Sequence, residues 1–114
     1  MDRFVARENI RHFVDRFHTE NDDVVRSNLQ KLLIEEEDKF ARLSEQLEVM
    51  DQNLFRISDL ALQQRARIYS LRANGVDTAL AQKHLANLEA LNCLFVQRRR
   101  AIAIELDERV SRSA

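Results

Sequence analysis

The stretch LQKLLIEEEDKFARLSEQLEVMDQNLFRISDLALQQRARIYSL, from Leu29 to Leu71, decides the fold. Its apolar residues step by four and three without losing phase, the repeat that keeps one stripe of an α-helix turned toward a partner helix. Written as heptads, the a positions are Leu33, Phe40, Leu47, Leu54, Ala61 and Ile68, and the d positions are Leu29, Glu36, Leu43, Met50, Ile57, Gln64 and Leu71. Only Glu36 and Gln64 depart from an apolar seam. A loop near Met50–Asn53 would shift the phase, and the phase does not shift. The pattern therefore predicts one continuous helix over residues 23–73, ~75 Å long at 1.5 Å per residue.

The rest of the chain is equally poor in helix breakers. It has no proline and a single glycine, Gly75, with 45% hydrophobic and 32% charged residues. Proline removes a backbone donor and glycine costs backbone entropy, so their scarcity predicts an all-α chain. Before the long helix, Ala6, Ile10, Phe13, Val14 and Phe17 recur at helical spacing and predict a short helix over 2–17. Asn21 or Asp22 can accept hydrogen bonds from the free amides that open the next helix. After it, Asn74-Gly75 closes the helix and Asp77 caps a third, predicted over 78–110. The third helix's expected buried stripe is Ala81, Leu85, Leu88, Leu91, Phe95, Ile102, Leu106 and Val110.

Folded back at Gly75, the third helix would cover residues 40–72 of the second; the first would cover residues 24–38. The expectation is one domain, 1–114: an elongated antiparallel helical hairpin or coiled coil with a short N-terminal helix at its far end. A core two helices thick buries little surface per residue. Beside the seam runs a second apolar row, Ile34, Ala41, Phe55, Leu62 and Tyr69 at the b positions. Ile34, Phe55, Leu62 and Tyr69 are the candidate partner interface. The simplest occupant is a second copy, a homodimer making a four-helix bundle; an unidentified protein partner is the other.

Formal net charge is −1 and the sequence pI is 6.3, which gives no global attraction to nucleic acid or anionic membrane. Residues 1–57 carry 9 Lys+Arg against 13 Asp+Glu, and residues 58–114 carry 9 against 6, a division that suits facing antiparallel helices. The lone Cys93 forms no disulfide within the chain, and MDRFVARENI has charges where a signal peptide has its apolar core. No run reaches the ~18 apolar residues of a membrane span. A cytoplasmic location is expected.

The candidate chemistry is sparse. Glu35-Glu36-Glu37-Asp38 point about 100° apart around a helix and cannot converge on one ion. Glu36 holds a seam position and is expected to meet Arg3, Arg109 or Arg112. Arg98, Arg99 and Arg100 form the strongest basic run and a candidate phosphate, nucleic-acid or acidic-partner contact, expected near Met50-Asp51-Gln52. Among His12, His18 and His84, no paired Glu-x-x-His motif exists, so neither metal nor other cofactor is expected. His84, in Lys83-His84-Leu85-Ala86-Asn87, is compared with phosphotransfer histidines but lacks their downstream lysine and glycine. Cys93 has no activating neighbour and reads as a packing residue. One glycine cannot build a phosphate-cradling loop or a nucleophile elbow. These readings favour a non-enzymatic helical interaction, regulatory or adaptor module. A histidine phosphotransfer-like accessory and an arginine-based nucleic-acid or phosphate binder stand as alternatives.

Two stretches carry a resemblance. Asn9-Ile10-Arg11-His12-Phe13 followed by Arg26…Leu29-Gln30-Lys31-Leu32-Leu33-Ile34-Glu35-Glu36-Glu37 resembles the opening of small bacterial all-helical proteins of no assigned activity. In those an Asp-Pro pair often starts the second helix, where this chain has Asp22-Asp23. Arg67-Ile68…Leu71…Gly75-Val76-Asp77-Thr78…Ala81…Leu85 is similar to the helix–Gly–helix turn of such proteins. The resemblance implies a helical hairpin and carries no catalytic or ligand residue.

Overall fold

The computed structural model describes residues 3–38 and 42–113, and these form four helices: α1 (Arg3–Thr19), α2 (Asp23–Asp38), α3 (Leu43–Ala73) and α4 (Ala79–Ser113). Two of the three junctions follow the local chemistry expected of them. Asp22 Oδ1 accepts the amides of Val24 (2.8 Å) and Val25 (3.3 Å) and so caps α2. Gly75 takes φ +70°, and the amides of Gly75 and Val76 return to the carbonyls of Arg72 (3.0 Å) and Leu71 (2.9 Å). That pair of bonds is the Schellman closure, and its left-handed residue is strained with any side chain other than glycine's hydrogen. Asp77 Oδ1 then accepts the Ala79 amide at 3.1 Å and starts α4.

The third junction overturns an expectation. Residues 23–73 are not one helix: α2 ends at Asp38, and Arg42 has an extended backbone (φ −104°, ψ 133°) before α3 begins. Phe40 and Ala41 lie outside the described residues. Extended geometry is open to any L-residue, so the chain leaves the helix without glycine or proline. The end of α2 favours the break, because its last turn holds no basic residue to offset the negative end of the helix dipole.

Packing supplies the larger drive. Asn9 of α1 donates to Glu36 at 3.4 Å, so α2 runs back along α1. Arg7 and Arg11 of α1 share a cleft with Val49 to Asp59 of α3. Further along, Asp15 pairs with Arg56 at 2.5 Å, and the His18 ring lies 5.8 Å from that of His84 in α4. The four helices thus alternate in direction. Ala6, Ile10, Val14 and Phe17 of α1, Leu29 and Leu33 of α2, Val49, Met50 and Ile57 of α3, and Leu88, Leu91 and Phe95 of α4 fall into one buried cluster. A straight 23–73 helix would have left the α1–α2 pair as a thin extension with no second layer. The four-helix core expected from two copies is built inside one chain.

Helices α3 and α4, of 31 and 35 residues, outrun the shorter pair. Beyond His18 and Asn87 they continue alone as a two-helix arm to the turn at Gly75. The molecule measures 60 × 25 × 23 Å. In the arm, Ile68 and Ala81 are buried but stand outside the main cluster, and buried Gln64 donates to the carbonyl of Ala81 at 2.9 Å. Of the expected α4 stripe, Ala81, Leu88, Leu91, Phe95 and Ile102 are buried, whereas Val110 is exposed.

Candidate functional site

The face of α3 opposite its core stripe is the least ordinary surface of the molecule. Ile57, Ala61, Gln64 and Ile68 point inward, while Phe55, Leu62 and Tyr69 are 79%, 66% and 79% exposed. Seven-residue spacing places the three in line along one helix face. Monomeric proteins rarely leave such a row uncovered. Ile34, expected in the same row, is half-buried on α2, and the break at Arg42 takes it out of line with Phe55.

At its lower end the row meets a cleft of about 470 Å³ between α1 and α3. Arg7, Arg11 and Arg56 line this cleft together with Glu8 and Asp59, and Phe55 forms one lip. The Arg56–Asp15 pair crosses beside it from α3 to α1.

The arginine run on α4 is largely engaged. Arg99 pairs with Asp51 across the α3–α4 contact, its second bond reaching Asp51 Oδ2 at 3.5 Å, and that carboxylate raises the guanidinium pKa. Arg98 is half-buried and also has a partner; Arg100 is exposed beside Val96 and Ile104. The three do not form a common basic face.

His84 is half-buried against the edge of His18, not presented to solvent as a phosphate acceptor would be. Burial lowers the pKa of His18, the nearby His84 lowers it further, and Asp15 opposes both. His12 is exposed on α1. Among the described residues no group of three or more His, Cys, Asp or Glu side chains is placed to hold a metal ion, and no helix is long and apolar enough to cross a membrane. Cys93, expected to pack, is exposed at the edge of a groove shared with Ser58 and Glu89.

One structural residue escapes the sequence reading. Buried Asn87 of α4 donates to the carbonyls of His18 (3.1 Å) and Glu20 (3.0 Å), two acceptors left open where α1 ends. Its own Oδ1 accepts from Arg26 of α2 at 3.2 Å. One amide therefore joins three helices where the four-helix base gives way to the arm. Its sequence signal is only an uncharged amide flanking Leu88. Comparison of the chain with protein-family models, curated proteins and solved structures gives no match.

Proposed function

We propose that this chain is a non-enzymatic helical interaction module that acts through helix-on-helix packing, with a second copy of itself as its first partner. The exposed row Phe55, Leu62 and Tyr69 carries the reading. Burying large side chains of this kind stabilises by ~1.5–3 kcal/mol each, and aromatic anchors dominate interface energetics. The four-helix core beneath supports it by holding α3 rigid, so little order is lost on docking. The half-buried His84 and the dispersed arginines give no observation that favours phosphotransfer or nucleic-acid binding over packing.

Solution molar mass by light scattering across a dilution series tests the proposal. A dimer that dissociates on dilution is expected, and Leu62→Glu should make it monomeric with unchanged helical content. A monomer at every concentration overturns self-association.

A further inference from the structure

The exposed face of α3 has a finer pattern than its three large residues. Phe55, Asp59, Leu62, Ala66, Tyr69 and Ala73 are all exposed and step by four and three, a second seam on the side of the helix away from the core. Bulky residues alternate with small or acidic ones along it. Resting on the self-association proposed above, we infer that two copies pair α3 against α3 in antiparallel register, with the two-fold axis at the level of Gln64.

The register follows from pairing positions symmetrically about that level. Phe55 then faces the partner's Ala73, Leu62 faces the partner's Ala66, and Tyr69 faces the partner's Asp59. Each contact occurs twice, as an isologous interface requires. Every bulky side chain meets a small one or a complementary polar group, and the alanines let the two helices approach to within ~8–10 Å. The Tyr69 hydroxyl donates to the Asp59 carboxylate, which Gln63 already orients from its own helix at 2.9 Å. A parallel pairing does the opposite: it stacks Asp59 on Asp59, crowds ring on ring, and leaves gaps where alanine faces alanine. Charge and volume both select the antiparallel arrangement.

The ends agree with the middle. The seam from Phe55 to Ala73 is ~27 Å long. Past it, the partner's Val76 comes level with Gln52, which lines the cleft between α1 and α3. Val76 is 50% exposed and apolar, and Phe55 at the lip of that cleft is 79% exposed, so the tip of each arm brings an apolar side chain to an apolar edge of the other copy.

Disulfide trapping tests the register. In a Cys93→Ser background, a Leu62→Cys chain is mixed with an isotopically labelled Ala66→Cys chain and mildly oxidised; Phe55→Cys with Ala73→Cys is the second pair. Facing seam residues lie within disulfide reach, so mixed disulfides are expected to dominate over like-with-like ones in both pairs. Predominant Leu62→Cys homodimers would show a parallel seam and overturn the register. Dimers by light scattering with neither mixed disulfide would also overturn it and leave self-association standing. Monomers throughout would overturn both. Asp59→Asn adds an independent reading: several-fold weaker dimerisation is expected, whereas stronger dimerisation would mean two carboxylates had been facing each other.

Discussion

The base and the arm of this molecule share α3 and α4, yet they are built differently. In the base, α3 is flanked by α4, α1 and α2, and its inward residues Val49, Met50 and Ile57 join a cluster that includes Phe17, Leu33 and Phe95. In the arm it has α4 alone, and the buried residues are few: Gln64, Ile68 and Ala81. The base can fold on what it buries. The arm is thin on the inside and apolar on the outside, with Leu62 and Tyr69 exposed. A surface of that kind is explained better by something that covers it than by the stability of the hairpin itself.

The sharpest way to break this comparison is to cut into each region separately. Phe95→Ala, in the middle of the base, should cost ~3–5 kcal/mol, since an aromatic side chain 1% exposed leaves a cavity its neighbours cannot fill. Ile68→Val in the arm should cost ~0.5–1.5 kcal/mol. Urea unfolding of both variants measures the difference. Equal losses after allowing for side-chain size would mean the arm is as fully packed as the base. Hydrogen exchange sharpens the point: arm amides should exchange faster than base amides in a dilute sample, and gain protection as concentration rises.

Asn87 comes next, because it sits where the two regions join. Asn87→Ala removes both donors from the α1 terminus and leaves Arg26 without its side-chain acceptor on α4. A loss of ~1–3 kcal/mol is expected, the usual cost of partly buried polar groups left unpaired. Asn87→Leu should recover packing volume but not stability. Full stability in the leucine variant would show that the junction is held by packing and that the amide is incidental.

Much of the arm was legible before the structure. Gly75 acts through its left-handed backbone, Asp77 through a side-chain cap on the Ala79 amide, and the seam residue Ile68 is buried as its spacing implies. The base was not, and Arg42 shows why. A heptad repeat tells which side of a helix is apolar; it does not tell whether the backbone between two apolar stretches remains helical. Leu29 and Leu33 keep phase with Met50 and Ile57, yet they belong to helices separated by a reversal. No glycine or proline stands in the sequence between α2 and α3 to mark the change of helix. Phe55, Leu62 and Tyr69 share one exposed face of α3, whereas Ile34, which belongs to the same row only in a continuous 23–73 helix, is half-buried on α2. Arg42 makes no side-chain cap to α3, so Arg42→Asp should stabilise the fold by ~1 kcal/mol. In an unbroken helix the same substitution would destabilise, and thermal unfolding separates the two.

The smallest expected effect concerns pH, and it again belongs to the junction. His18 is held below its ordinary pKa of 6.5, first by burial and then by the neighbouring His84, with Asp15 acting in the other direction. The folded chain therefore resists protonating His18 at a pH where the unfolded chain accepts the proton. Stability from this source is complete above about pH 6.5 and declines as pH falls through 6.5 toward the lower folded value. Measured at pH 7.5 and 5.5, the Tm of the native chain should drop by more than that of His18→Gln, which has no proton to take up there. Parallel drops would place the sensitivity elsewhere. A selective loss would place the sensitivity at His18, where the end of α1 meets His84 of α4.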